Sequence, residues 1–501
     1  MKKILSILFP IFILSPLLQA QDLKDAYRYS SNELSGTARF ISMAGAFGAL
    51  GGDLSAMSIN PASSAVFISS NASVSMEYRD LESSIRYNNG MSGSELSDIE
   101  LGNIGGVFVF SNNGSNDWRK FSLGINYNST AIYDDSFRIQ GTSGNSIDQY
   151  FLNYANGVEL ELLQTGRNGN IDERYAVLGE QYGFPVQQAF LGYQAYVIEP
   201  ENDEPQNLDY FSLIGPGSFD QRYNQISTGL NGKLSFNLGT QFRDFLYLGL
   251  NLNSHFINYE NVSEFSEFNN NPGSATTEVF FGNSLYTNGD GFSFQLGGII
   301  KLDELRLGLT YDSPTWYSIR EETTQYLETN TPEDDFVSVA PNILNIYPAY
   351  RLRTPSRLAG SIAYLFGRKG LISFDYSYKD YGSTEFRPEN DPAYQDLNSQ
   401  ISSNMKAAST YRVGGEYRIS NFSLRAGYRF EESPFENENR VGNVTGYTGG
   451  IGYNFGNINL DLAYSYMNQE ENMPIFNTGL TDPISFDREL SKVVLSVSFG
   501  L

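Results

Sequence analysis

The sequence predicts an all-β transmembrane barrel of about 14 antiparallel strands, closed around a plug made from its own N-terminal segment. Three observations carry this expectation. The chain starts with an export-type leader, it is rich in Tyr, Phe and Gly without any long apolar helix, and its strand-like segments show charge-free apolar faces.

Lys2 and Lys3 precede an apolar run from Ile4 to Leu18, followed by the small residue Ala20, the pattern of a secretory signal peptide over residues 1–20. Pro10 and Pro16 interrupt the run, which is shorter than the roughly 20 residues a spanning helix needs. The mature chain is expected to start near Gln21. With no Cys, disulfides and thiolate chemistry are excluded.

Beyond the leader, 34 Tyr, 35 Phe and 48 Gly accompany a low average hydropathy. That combination suits strands that alternate lipid-facing and lumen-facing residues in an outer membrane. The net charge of −24 argues against binding nucleic acid or anionic lipid as a main task. Acidic residues gather in expected loops, at Glu199–Glu204 and Glu333–Asp335, and the pair Asp134 and Asp135 reads as a solvated turn.

Periodicity fixes the class. Ile372, Phe374, Tyr376 and Tyr378 share one face, while Ser373, Asp375, Ser377 and Lys379 take the other. The same split recurs in Phe422–Phe430 and in Ile458–Tyr464. An Arg or Lys at mid-membrane on the lipid side costs about 2–4 kcal/mol, so the charged faces are assigned to the lumen. Strands are predicted near 66–80, 101–112, 119–140, 223–242, 244–264, 284–302, 304–326, 349–367, 370–388, 404–419, 421–432, 443–455, 457–470 and 486–500. The last can close the barrel against the first, removing edges that lipid cannot hydrogen-bond. Such a chain has outer-membrane lipid and lipopolysaccharide as surroundings and the barrel assembly machinery as a partner.

Two regions break the rhythm. Residues 21–64 mix small and apolar residues and are expected to pack as a plug, leaving 65–501 for the barrel. Residues 141–222 form a long insertion, helix-like over Ile147–Leu163 and punctuated by Pro185, Pro200, Pro205 and Pro216, suited to a lid.

The run from Gly36 to Ala56, followed by Asn60-Pro61-Ala62, resembles the N-terminal hatch of the FadL/TodX transport family. Thr354–Gly360, Asp375-Tyr376, Gly415–Tyr417 and Leu424–Tyr428 with Ser433-Pro434 extend the resemblance over most of the mature chain. The resemblance implies a passive channel for hydrophobic small molecules, fatty-acid-like or aromatic, released through a moving hatch or a lateral gap in the wall. It also leaves open a second role, because some such barrels serve as docking proteins for a secretion system.

Several residues follow as candidates. Gly45, Gly48, Gly51 and Gly52 permit unusual hatch dihedrals, and Asn60, Pro61 and Ala62 form either a gate or a plain plug-to-strand turn. Phe40, Met43, Phe47 and Met57 either line a ligand pocket or pack the plug against the wall. Alternation places Arg353, Arg357, Arg412, Arg425 and Arg429 in the lumen, where a guanidinium can hold a ligand carboxylate or pair with Asp375, Glu416 and Asp461. No enzyme activity, cofactor or metal is expected: His255 is the only His, no nucleophile elbow accompanies it, and the Gly-rich hatch lacks the Lys-Ser/Thr ending of a phosphate loop.

Overall fold

The computed structural model describes residues 22–112, 117–166, 169–330 and 336–501. The expected signal peptide, residues 1–20, and the acidic stretch Glu333–Asp335 lie outside the described residues.

The strands form one closed antiparallel 14-stranded barrel. They are β1 (Asn71–Tyr87), β2 (Gly90–Ser111), β3 (Trp118–Ile132, resuming as Asp135–Ser143), β4 (Phe219–Phe242), β5 (Leu246–Phe268), β6 (Glu278–Leu302) and β7 (Leu305–Asp312, resuming as Trp316–Asn330). The wall continues with β8 (Tyr350–Arg353, resuming as Arg357–Leu365), β9 (Gly370–Asp380, resuming as Glu385–Arg387), β10 (Ala407–Ile419), β11 (Phe422–Glu431), β12 (Val444–Asn454), β13 (Ile458–Pro474) and β14 (Pro483–Gly500). β14 pairs with β1 from Asn71↔Gly500 to Tyr87↔Ile484, which closes the ring. Turns at one end are short, such as residues 303–304 and 420–421, while the other end carries insertions at 144–218 and 388–406. Short periplasmic turns and longer outer loops are the rule in such barrels, which orients the molecule.

The alternation seen in the sequence holds on the outer wall. Leu462 and its cross-strand neighbours Ile451 and Leu495 are 43%, 50% and 48% exposed, a surface stable only against lipid. Strands also rise above the lipid: beyond Phe256 the outward residues of β5 include Asn258, Glu260 and Glu264. This rise explains why residues 90–100 escaped the sequence reading. They are strand, but lie largely where no hydrophobic alternation is imposed.

Residues 22–66 fill the lumen. Asp22 caps α1 (Leu23–Arg28) through a capping box, and α1 packs in the upper lumen with Ile257, Tyr259, Tyr317 and Phe435. Lower down, α2 (Ala38–Ile41), capped by Thr37, leads into a core of Ile41, Met43, Phe47 and Leu50 against Ala363, Leu371, Ala463 and Val494. A short helical turn, Pro61–Val66, capped by Asn60, precedes β1, which begins at Asn71 rather than near residue 66.

The lid over the outer mouth is helical: α3 (Asp148–Ala155), α4 (Leu160–Leu163), α5 (Ile171–Tyr182) and α6 (Phe184–Gln194). Phe151, Leu160, Leu178 and Phe190 are fully buried against Phe265, Phe281, Leu327 and Phe486 of the wall. Asn170 caps α5, Gly183 ends it at φ +80°, and Pro185 stands in the first turn of α6, start and stop signals that the sequence carried. A further helix, α7 (Pro392–Asn404), lies in the outer loop between β9 and β10.

Candidate functional site

The site begins with a break in the wall. β2 and β3 pair from Asn103↔Asn128 down to Ser111↔Lys120, but above that level β2 pairs only with β1. β3 slips register between Ser129 and Ala131 and breaks between Ile132 and Asp135. The interrupted backbone is held from within: the Glu33 N–H of the plug donates to the Thr130 carbonyl (2.8 Å), and Tyr133 N–H to Gly229 O (2.8 Å). Arg79 of β1 reaches the Asp134 carbonyl (3.2 Å), and the Asp134 carboxylate accepts from Gly229 N–H (2.7 Å). Arg488 pairs with Asp135 at 2.8 Å. Asp134 and Asp135 therefore pin a kink, and the reading of them as a solvated turn is corrected. At the top the strands approach again, where Thr142 N–H donates to Asn89 Oδ1 (2.8 Å). The result is a lateral window that starts near Tyr78 and Ile99, at the upper edge of the lipid-facing band. Lipid cannot hydrogen-bond the free edge of β2, and such backbone is tolerated only where it lines a water-accessible cavity.

Behind the window lies a cavity of about 330 Å³, lined by Leu81, Ala131, Ile132, Tyr133, Val444 and Met467 among others, with Arg429 and Glu431 at its side. Those last two residues also border a central cavity of about 170 Å³ that contains Phe40, Lys233, His255, Arg357 and Arg412. A third cavity, about 630 Å³, opens on the periplasmic side between the plug and the wall.

The arginines expected in the lumen fall into different places. Arg357 faces the central cavity and pairs with Asp312 at 2.6 Å. Arg412 faces the same cavity, its buried Nε lacking a hydrogen-bond partner among the described residues. Lys233, which the sequence reading did not single out, faces it too and forms no ion pair among the described residues. Arg429 pairs with Glu431 between the two upper cavities. Arg425 is occupied on the periplasmic side, with Nε on Glu416 (2.6 Å) and a terminal nitrogen on Asp461 (2.6 Å). Arg353 does not face the lumen, which corrects its assignment. Residues 313–315 and 354–356, each containing a Pro, leave the ladder together; beyond them Trp316, directly across from Arg353, is 43% exposed on the outer wall. The alternation reverses at that break, so counting across Pro355 gave the wrong face.

The plug residues are seated closely. Phe40 lines the central cavity and packs on Phe47 at 5.6 Å between ring centroids. Met43, Phe47 and Met57 have no exposed surface, and a Cβ at wall Gly414 would stand 2.6 Å from the Met43 carbonyl oxygen. Gly48 donates to Asp375 (2.9 Å), and a Cβ there would stand 2.0 Å from Ser361 Oγ. Gly45, Gly51 and Gly52 adopt φ of +73°, +64° and +66°. Asn60 donates to Gly48 O (2.7 Å) and Gly298 O (3.2 Å) and accepts from Ala62 N–H (3.0 Å), tying hatch, wall and the Pro61 turn together. Arg39 donates to Glu416 (3.0 Å), so that Glu416 receives Arg39, Arg418 and Arg425 and joins plug to wall. His255 hydrogen-bonds Ser293 (2.8 Å), and no group of three metal-ligating side chains occurs among the described residues.

The family profile described as outer membrane protein transport protein (OMPP1/FadL/TodX) matches residues 225–500. No curated protein matches the chain by sequence. Among solved structures, a Pseudomonas aeruginosa FadL homologue is similar at 12% identity and a TM-score of 0.54, over 94% of this chain and 99% of that one. The P. putida toluene transporter TodX matches at 14% identity and 0.52, again over 94% and 99%. The CymD monoaromatic hydrocarbon channel matches at 12% and 0.51, with the same coverage. At these identities the likeness is one of fold.

Proposed function

Since the chain belongs to the OMPP1/FadL/TodX family of outer membrane transport proteins, we propose that it passes small hydrophobic molecules through the outer membrane and releases them sideways, through the window between β2 and β3. The observation that carries this reading is the unpaired stretch of β2 beside the 330 Å³ cavity, whose lining combines Leu81, Ala131, Ile132, Val444 and Met467 with charged side chains such as Arg79, Asp135 and Arg488. A hydrophobic solute gains about 25 cal/mol per Å² on leaving water, so a route that opens toward lipid spares it the aqueous periplasm. The plug, locked to the wall by Asn60, Gly48 and Arg39, stays in place during such passage. Docking to a secretion-system protein gains no support from relatives whose names are those of transporters and channels.

The substrate is an amphiphile with an anionic head. Arg412 and Lys233 stand in the central cavity without ion pairs among the described residues, while the adjoining cavity supplies an apolar wall for a tail. A carboxylate there would gain charge-assisted bonds that a neutral hydrocarbon cannot make. Replacing Ala131, buried at the kink, with Trp fills the passage behind the window. Uptake of oleate by cells bearing Ala131→Trp is expected to fall at least tenfold, with barrel assembly unchanged by heat-modifiable gel mobility; full uptake by the folded variant would overturn the lateral route.

A further inference from the structure

Where β7, β8 and β9 resume above their break, the outer wall carries a concentration of arginines. Arg351 lies directly across from Arg387 on one side and from Ser318 on the other, and Arg353 lies across from Glu385 and Trp316. Arg320 follows two residues beyond Ser318 on the same face. Like charges directly opposite across a ladder are destabilising, so the Arg351–Arg387 pair needs an anion to be favourable. The protein's own carboxylates supply part of it. Glu385 takes Arg353 (3.5 Å) and Arg387 (2.9 Å), and Glu389 takes Arg387 (2.9 Å). Arg320 and Arg351 form no hydrogen bond or ion pair among the described residues, with the exposed Asp290 across from Ser318 and Glu322 two residues beyond Arg320 as the next nearest acids on this face.

The depth of this patch is set by what lies beneath it. Trp316 stacks on Phe292 at 6.4 Å and 15°, and below it Tyr311, Leu309, Leu307 and Leu305 face outward. At about 3.3 Å per residue and a tilt near 40°, the strand from Leu305 to Trp316 climbs roughly 28 Å, about the height of the apolar band of such a barrel. The arginines thus stand at the headgroup level of the outer leaflet, just above an aromatic girdle. On the opposite wall, four residues beyond Tyr78 in β1, Glu82 lies across from both Glu95 and Glu489, all exposed.

We infer that the Arg320–Arg351–Arg353–Arg387 patch binds the phosphate groups of outer-leaflet lipopolysaccharide. Guanidinium groups match phosphate oxygens bidentately, and Arg side chains can rest their stems on apolar surface while the charge stays at the interface. The site turns the β7–β9 wall toward the anionic glycolipid, while the acidic wall beside the window repels it.

The test uses the purified full-length barrel in lipid nanodiscs and native mass spectrometry, with bisphosphorylated lipid A as probe. Retention of lipid A by the unaltered protein is expected, with apparent affinity at least about tenfold lower for the double variant Arg320→Gln/Arg351→Gln. Dephosphorylated lipid A is expected to bind the unaltered protein no better than lipid A binds the variant, and Arg320→Lys/Arg351→Lys to retain part of the affinity. Should the Gln variant fail to assemble, the two forms of lipid A on the unaltered protein still decide the matter. Equal binding of lipid A with and without phosphate, or equal binding by a folded Gln variant, would overturn the site. Displacement of lipid A by millimolar inorganic phosphate would identify a free-anion site instead, and phosphatidylglycerol binding as tightly as lipid A would overturn its assignment to lipopolysaccharide.

Discussion

Glu416 is the wall residue that takes Arg39 of the lower plug in an ion pair, and its replacement by Gln is predicted to loosen the plug while leaving the barrel closed. Its side chain is fully buried and accepts from Arg39, Arg418 and Arg425. Breaking a buried ion pair by removing one partner costs about 3–5 kcal/mol in all. Only the Arg39 contact, at 3.0 Å, crosses from plug to wall. A hydrogen bond between charged groups is worth about 1.5–3 kcal/mol, so the plug-released population should rise by roughly 10- to 150-fold. The chain has no Cys, so Ala46→Cys, whose parent residue has no exposed surface, gives a single thiol that a maleimide can reach only when the plug moves. Labelling in the Glu416→Gln background should accelerate by that factor, Arg39→Met should reproduce it, and the two changes together should add nothing. Arg418→Gln, at a side chain 43% exposed, should change the rate little. A labelling rate for Glu416→Gln within about twofold of the parent would refute the pin.

Leu462→Arg should impair assembly by about 2–4 kcal/mol, with Leu460→Arg milder because Leu460 sits only one pair above the periplasmic turn, and Asn459→Arg near neutral in the periplasmic vestibule; equal heat-modifiable yields for Leu462→Arg and Asn459→Arg would contradict the register. Arg412→Gln should weaken oleate binding about tenfold without affecting a neutral hydrocarbon, whereas Arg425→Gln should lower thermal stability and spare binding, both measured by ligand titration and thermal melts. At the top of β5, well above the lipid, burial under the lid pushes the Glu267 carboxyl up from 4.5 to about 7, where it accepts from Gln221 (2.7 Å) and the Ile147 N–H (3.0 Å). A folded-state value raised above the unfolded one means lid docking is strongest below about pH 4.5 and weakens as pH rises through about 7, so limited proteolysis of residues 144–218 should quicken over that window and Glu267→Gln should flatten the dependence.

The barrel class, its strand number and its lipid face were legible because lipid imposes a strict period of two on residues such as Ile372–Tyr378 and Ile458–Tyr464. Where lipid imposes nothing, the signal fails: residues 90–100 continue as strand with polar residues on both faces. Arg353 was misplaced because alternation was counted through Pro355, a residue that itself warned of a break. Alternation assigns a face but not a height or a partner, so Arg412 and Arg425 looked equivalent, although one stands in the central cavity with no ion pair among the described residues and the other is bound to Glu416 and Asp461. The window was invisible because it depends on which strand fails to pair, a non-local fact; Ser129-Thr130 carries no breaker residue. The helices α5 and α6 were announced by Asn170, Gly183 and Pro185 and could have been read.

The seating of the plug has a consequence for assembly. It is bound to strands from across the chain: Ala38 N–H to Ser496 of β14, Ala44 N–H to Thr448 of β12, Gly48 N–H to Asp375 of β9, and the Asn60 side-chain amide to the Gly298 carbonyl of β6. The plug is translated before all of them, yet the Ser496 partner exists only once the last strand is made. Its fit to Gly308, Gly414 and Gly427, where a Cβ would stand within 2.6 Å of plug backbone atoms, leaves no clearance for insertion into a finished cylinder. The barrel must therefore close around its plug, and the nascent N-terminal segment has to wait, unfolded and without its mould, until the wall wraps it. Barrel closure and plug folding become one late, long-range event, slow by topology. A chain stripped of residues 22–60 would then deliver a hollow cylinder that plug peptide added afterwards could not enter.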